Sequence, residues 1–284
     1  MSPNGSDRSP RRFMRRKLPQ ALALGLVIAT ATGCSSEDLP RLGLPAPATE
    51  QAPRVLSLWQ GSWAAALVVG AVVWGLVIWS VIFHRRSRHK QEIPVQTRYN
   101  MPIEALYTVV PLMVISVLFY FTARDESELL KTSDQPDHTI EVVGYQWSWG
   151  FNYQEQVDGV DGVWDTDTPG GKPVLYLPEG ESVRFVLNSR DVIHSFWVPN
   201  FLFKMDVIPG VTNEFEVTPN RVGEFEGKCA ELCGTDHSRM LFEVHVVTPD
   251  EYQAKLQELK DAGQTGALPA TIPAMADENS GSEQ

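Results

Sequence analysis

The residues best equipped for chemistry lie in one short run, Cys229-Ala230-Glu231-Leu232-Cys233-Gly234-Thr235-Asp236-His237-Ser238-Arg239-Met240. Two thiols, an imidazole and a thioether fall within these twelve residues, and the chain's only other cysteine is Cys34. Thiolate and thioether are soft ligands that favour copper, and imidazole also serves it well. Gly234 and its polar neighbours predict a loop able to bend all four side chains toward one point. A Cys229–Cys233 disulfide is the plain alternative for an exported domain. Zinc could take both thiols, His237 and a fourth ligand, but has no use for Met240. A mononuclear blue-copper site wants one Cys, two His and an axial Met, so one thiol is surplus. Two bridging thiolates fit two copper ions, each needing a further nitrogen. His194, in Asp191-Val192-Ile193-His194-Ser195-Phe196-Trp197-Val198-Pro199, can supply the second one from a loop position after a strand ending at Leu187. The other histidines read as structural: His84 and His89 in a basic loop, His138 before a strand, His245 within one.

These side chains need a rigid frame. Short apolar runs at 139–143, 173–177, 182–187, 213–217 and 241–247 read as strands, several with period-two alternation, and their spacing predicts a Greek-key sandwich or barrel over 138–248. Residues 152–172, rich in Asp and Gly, read as a hairpin excursion or surface insertion. Thr248-Pro249-Asp250-Glu251 has the pattern of a capping box, and Tyr252, Leu256 and Leu259 follow at helical spacing, giving a helix over 249–262. Residues 263–284 read as a disordered tail.

The front of the chain is membrane text. Arg8, Arg11, Arg12, Arg15, Arg16 and Lys17 precede an apolar run from Leu18 to Ala31, too short to span a bilayer, so 1–33 reads as an export signal. Ala31-Thr32-Gly33-Cys34 is similar to a lipoprotein cleavage site, which makes Cys34 a lipidation candidate. Residues 34–57 read as a flexible linker and 58–124 as a transmembrane hairpin. Trp63 to Phe83 gives 21 uncharged residues and Ala105 to Ala123 gives 19, broken only by Pro111. At about 1.5 Å per residue the first is roughly 32 Å long, enough to cross a hydrocarbon core of about 30 Å. Arg85, Arg86, Arg88, Lys90 and Arg98 lie between the spans, so that loop is cytoplasmic and both flanks, including the mature N-terminus and the C-terminal domain, face outside.

Charge agrees with this division. Up to Ala123 there are 13 basic and 6 acidic residues, and from Arg124 onward 11 and 29, for a net charge of −11. A nucleic-acid binder is excluded as the reading, and an acidic exported domain suits a basic protein partner.

With the two spans, the β-domain and the Cys229–Met240 run in this order, the sequence from about Leu58 to Ala262 resembles subunit II of bacterial cytochrome c oxidases of the haem-copper family. The resemblance implies a cupredoxin-like fold on a two-helix membrane anchor, and an electron-accepting subunit of an oxidoreductase. It implies two copper ions (the CuA centre), with Cys229 and Cys233 bridging and His194 and His237 as terminal ligands. Met240 and the Glu231 carbonyl become the weak ligands, and the Glu231 carboxylate reaches a Mg or Mn ion shared with subunit I. Gly144-Tyr145-Gln146-Trp147-Ser148-Trp149 is similar to the family's aromatic stretch, which assigns electron uptake to Trp147; Ser148 stands where an aromatic residue is common. Glu104, seven residues before Pro111, matches a carboxylate that opens a proton channel. The implied partners are oxidase subunits I and III and a cytochrome c, soluble or membrane-tethered, at a bacterial cell membrane. A quinol oxidase subunit lacks the two thiols, a CxxxC copper chaperone typically has one anchor and a ligand His far downstream, and a nitrous-oxide reductase carries a large further domain.

Overall fold

The computed structural model describes residues 38–85 and 96–269. The chain divides into two units, the first ending at Leu44. The described part of the first is a short 3-10 turn, Leu39–Arg41, closed by Leu42 in the left-handed region and by an Arg41–Asp38 ion pair. The export signal, the Cys34 lipidation site and most of the basic loop lie outside the described residues.

The second unit opens with two long helices, α1 (Ala52–Phe83) and α2 (Met101–Leu129), of 32 and 29 residues. Both are apolar on every side. Trp74 is 67% exposed and Phe119 71%, which water would not tolerate over such lengths and which a hydrocarbon or a partner's helices would cover. Both are long and apolar enough to cross a membrane. Asn100 starts α2: its side chain accepts from Ile103 N–H at 3.4 Å, while its own N–H donates to the Glu104 carboxylate at 2.7 Å. At the far end Arg54 faces Asp125 at 4.0 Å and Glu128 at 3.9 Å, tying the two helices where their charges resume.

Helix α1 begins inside the stretch 34–57 that reads as linker. From residue 45 that stretch is not free. Ala48 exchanges hydrogen bonds with Asn200 and Asn220, Glu50 N–H donates to Thr218 O, and Ala48 and Thr49 are fully buried. Thr49 Oγ1 then accepts from Ala52 N–H at 3.2 Å, and Pro53 suits the first turn. The segment has no periodicity because its order comes from contacts with residues some 150 positions away.

The C-terminal part is a sandwich of two five-stranded sheets in the orders β3-β2-β1-β5-β8 and β4-β10-β9-β6-β7. The strands are β1 (His138–Tyr145), β2 (Ser148–Val157), β3 (Val160–Thr166), β4 (Val174–Pro178), β5 (Val183–Ser189), β6 (His194–Val198), β7 (Phe203–Val207), β8 (Asn213–Val217), β9 (Gly223–Cys229) and β10 (Leu241–Val247). Each sheet has one parallel pair, β1 with β5 and β4 with β10, among antiparallel ones. This is the mixed, two-layer arrangement of a cupredoxin-like fold. Alternation drives it: Val183, Phe185 and Leu187 of β5 and Phe242, Val244 and Val246 of β10 all point inward. Between the sheets Phe196 stacks on Phe242 at 4.9 Å, with Trp149, Phe185 and Phe215 around them.

Two expectations are corrected and one is borne out. His194 is the first residue of β6, because Phe196 and Val198 need the sandwich core and pull the chain into register. The hairpin reading of 152–172 holds, as part of the sheet rather than as a surface insertion: β2 and β3 pair through Asp158 (φ 47°) and Gly159 (φ 80°), and Tyr153, Val157 and Val163 are core residues. The start of the 263–284 tail is ordered. Trp164 N–H donates to Gln264 O, Leu268 N–H donates to Asn152 Oδ1 at 2.8 Å, and buried Leu268 fills the notch at Gly150, where a Cβ would sit 2.3 Å from it. One leucine meeting one glycine leaves no periodic signal. The rest of that tail lies outside the described residues.

Helix α3 (Pro249–Asp261) carries the full capping box of Thr248 and Glu251 and buries Tyr252, Leu256 and Leu259. Tyr252 OH donates to Glu155 Oε1 at 2.7 Å, and buried His138 bridges Glu155 at 2.7 Å and Glu181 at 2.6 Å. Burial lowers the His138 pKa, but the two carboxylates outweigh it and hold it above 6.5. Its stabilising contribution is therefore complete below the unfolded value of 6.5 and is lost as pH rises through the higher native value. We expect His138→Gln to cost about 1–3 kcal/mol near pH 6 and distinctly less near pH 9; thermal unfolding of the detergent-solubilised protein at both pH values would show a gap in Tm that closes with pH.

Candidate metal centre

Strands β9 and β10 pair antiparallel, and the loop carrying the donors runs from the end of one to the start of the other. Cys229 N–H donates to Met240 O at 3.0 Å and closes the loop at its base. Strand β6 lies on the other side of β9 with Phe196 opposite Cys229, which brings His194 alongside. Ala230 N–H donates to Ser195 O at 3.0 Å, pinning the first loop residue to the same strand. A turn at His237–Arg239 leads the chain back to Met240.

The donors converge. Cys229 Sγ lies 3.8 Å from Cys233 Sγ and 3.9 Å from His194 Nδ1. Cys233 Sγ lies 3.5 Å from His237 Nδ1 and 3.7 Å from Met240 Sδ. The Glu231 carbonyl is 3.2 Å from Cys229 Sγ. Both cysteines are free and buried, so the thiols stand side by side unbonded. The ligand atoms of His194, Cys229 and Cys233 all lie within 4.8 Å of one another, while His237 approaches from the Cys233 side. His194 Nε2 is engaged by Asp191 Oδ1 at 2.8 Å, which leaves Nδ1 facing the sulfurs. Glu231 is exposed, while its carbonyl adjoins the buried Cys229 sulfur.

Electrostatics mark the pair as a cation site. Burial pushes the Cys229 thiol up, but hydrogen bonding by His194 and by the backbone of Glu231 and Ser195 overrides it and brings the thiol from 9.0 down to about 7. Burial, then the neighbouring Cys229 sulfur, drives Cys233 to about 12. Two adjacent thiolates are not sustained by protein dipoles alone; a soft cation between them removes the repulsion and displaces the protons. With two sulfurs, two imidazole nitrogens, a thioether and a carbonyl in reach, the residues fit copper by donor type.

The aromatic stretch reaches the same place. Trp147 Nε1–H donates to the Cys233 carbonyl at 3.3 Å and Gln146 Nε2–H to the same oxygen at 2.7 Å. Trp147 is half-buried, whereas Trp149 is a fully buried core residue whose ring sits 6.0 Å from that of His194. Glu104 is not part of the cluster; it sits in the first turn of α2. Gln146, Asp191 and Gly144 escape a reading of the sequence. The Asp191-x-x-His194 spacing was a usable signal. Gly144 was not, for its role is steric: a Cβ there would lie 3.0 Å from His194 Cδ2.

A membrane-anchored cupredoxin-like domain with a two-thiol soft-metal site is the class these features define. The family described as "Cytochrome C oxidase subunit II, periplasmic domain" matches residues 171–247, a span that contains the whole donor cluster. The chain is 62% identical to the probable cytochrome c oxidase subunit 2 of Streptomyces avermitilis over 305 aligned positions, covering 96% of both chains. It is 37% identical to cytochrome c oxidase subunit 2 of Mycobacterium tuberculosis, over 89% of this chain and 84% of that one. The periplasmic domain of subunit II of cytochrome oxidase (CoxB) of Bradyrhizobium japonicum superposes with a TM-score of 0.40 at 28% identity, over 46% of this chain and 99% of that one. The chain belongs to the cytochrome c oxidase subunit 2 family.

Gly234 holds φ at +125°, and a Cβ there would stand 3.1 Å from both Gln146 Nε2 and Trp147 Cζ2. Gly234→Ala should cost about 1–3 kcal/mol in local strain and lower metal retention under chelator competition, with secondary structure unchanged by circular dichroism. Retention equal to wild type would show that the loop bends without help from this glycine.

Proposed function

We propose that this chain is the electron-accepting subunit of a cytochrome c oxidase and that the cluster at the β9–β10 loop is its CuA centre. The observation that carries the reading is the convergence of Cys229, Cys233, His194, His237, Met240 and the Glu231 carbonyl within a chain of this family. Cys229, Cys233, His194 and His237 would hold two copper ions, with Met240 and the Glu231 carbonyl as weaker ligands. When bound, such a copper pair takes up and gives up one electron at a time, the chemistry needed between a cytochrome c and haem in subunit I. The protein's part is to hold the donors still. The loop base is latched by Cys229 N–H, His194 is backed by Gly144 and Asp191, and Met240 is fully buried, so little needs to rearrange as charge changes.

Trp147 is the proposed point of electron uptake, supported by a partly exposed indole bonded to the backbone of a ligand residue. The Glu231 carboxylate, exposed at the loop, is proposed to share a Mg or Mn ion with subunit I. Glu104 is proposed as a proton inlet; its capping bond to Asn100 N–H occupies one of its two carboxylate oxygens. The exported face would meet a soluble or tethered cytochrome c, and the helices would dock on subunits I and III. The signal at 1–33, lipidation at Cys34 and an outward N-terminus complete the reading; they rest on the residues of that segment and the basic loop.

Electron paramagnetic resonance with copper counting on the purified protein tests the centre. A delocalised two-copper signal is expected in wild type and lost in Cys229→Ser and Cys233→Ser, whereas Met240→Leu should keep copper with a shifted potential, since a weak thioether ligand would tune more than it binds. Zinc, or no metal, in wild type would remove the reading.

The peripheral roles separate in turnover. Trp147→Ala should keep the copper spectrum and slow reduction by cytochrome c, while Glu104→Gln should keep that reduction and lower oxygen consumption. Stopped-flow reduction beside steady-state oxygen uptake tells them apart, and wild-type behaviour of either variant retires that residue's role.

A further inference from the structure

Asp191 stands between the metal cluster and the aromatic stretch and touches both. It follows β5 in a tight turn, where its N–H donates to Ser189 Oγ at 3.3 Å and its Oδ1 accepts from Val192 N–H at 2.6 Å. The same Oδ1 meets His194 Nε2 at 2.8 Å. Its other oxygen, Oδ2, accepts from the backbone N–H of Gln146 at 2.6 Å. One carboxylate thus gathers three N–H groups, from its own turn, from a ligand ring and from the residue that precedes Trp147.

The contacts close a circuit around the cluster. His194 connects through Asp191 to Gln146; Gln146 and Trp147 both donate to the Cys233 carbonyl; and the Cys233 sulfur adjoins that of Cys229, which adjoins His194 Nδ1. We propose that Asp191 is a positioning residue that fixes His194 and the Gln146–Trp147 backbone to one anion, so that ligand orientation and electron-uptake geometry are set together. A carboxylate that only shaped its own turn would need Val192 N–H alone. The second oxygen, spent on Gln146 from another part of the chain, is the feature a turn does not require. Partners of this kind to a ligating imidazole are typically worth 10–100-fold in metal affinity or activity.

The proposal rests on the copper reading above, and two substitutions separate its failure from the failure of that reading. Asp191→Asn keeps an oxygen for His194 and Val192 but turns an amide N–H₂ toward the Gln146 N–H. Asp191→Ala removes both links. The measurements, on the full chain in its detergent-purified complex, are copper retention against a chelator, the paramagnetic spectrum, the reduction potential, and stopped-flow reduction by cytochrome c with a small-molecule reductant as control. Wild type without a two-copper signal would remove the underlying reading, whatever the variants do. Given that signal, Asp191→Ala should lose copper affinity by about 10–100-fold. Asp191→Asn should retain copper, shift the potential upward through loss of a nearby negative charge, and slow reduction by cytochrome c more than by the small reductant. Wild-type retention, potential and rates in Asp191→Ala would overturn the proposal. Copper loss in Asp191→Asn as deep as in Asp191→Ala would overturn the shared role and leave Asp191 as a holder of the ligand alone.

Discussion

The hydrogen bond from Cys229 N–H to the Met240 carbonyl, 3.0 Å long at the mouth of the β9–β10 hairpin, is the constraint on which the rest depends. It makes the first and last donors of the loop direct neighbours, so the residues between them must bulge into a small closed curve. Everything that shapes the curve acts within that limit. Ser195 O holds Ala230, Gly234 takes a backbone angle that other residues avoid, and the His237–Arg239 turn brings the chain back in time for Met240 to enter the core. Strand β6, hydrogen-bonded to β9, supplies His194 at a fixed height. A flexible loop with the same composition would offer the same ligands without the same geometry.

Holding these donors together is electrostatically awkward in the absence of a cation. Two sulfurs at 3.8 Å, both buried, cannot ionise independently, and the protein stabilises one at the expense of the other: Cys229 is drawn down to about 7 while Cys233 rises to about 12. The fold carries this mismatch because the aromatic packing behind it is extensive. Trp149, Phe196 and Phe242 form the floor under the cluster, and each is essentially excluded from solvent. Rigidity of the floor and tension among the donors are two aspects of one design, in which a cation completes what packing alone leaves unfavourable.

The sandwich is also secured at its margins. The strap at 45–51 and the first turn of α1 join the membrane anchor directly to the β-domain, and α3 is locked to it through Tyr252, Glu155 and His138. The ordered start of the C-terminal tail passes beneath Arg190, whose guanidinium donates to the Leu268 and Pro269 carbonyls at 3.1 and 2.8 Å. Arg190 is the neighbour of Asp191, so the tail braces the turn that carries the His194 contact. These margins rest on single contacts between distant residues, which is why they have no repeat or period.

What the sequence by itself determined was whatever depends on local pattern: the apolar helices from their unbroken length, five of the strands from short apolar runs, several of them alternating, α3 from Thr248 and Glu251, and the donor set from the spacing of Cys229, Cys233, His237 and Met240. It also singled out His194, as the histidine left to supply a second nitrogen, and Trp147, the latter by analogy with a family. Only the tertiary structure decided that His194 belongs to a strand, that β2 and β3 complete the sheet, that residues 45–51 and 263–269 are tied down, and that Gly144, Gln146 and Asp191 serve the site. The physical reason is the same in each case. A residue's pattern reports its covalent neighbours, whereas these roles come from atoms brought within about 3–4 Å by folding, and apart from Asp191-x-x-His194 no spacing along the chain encodes them.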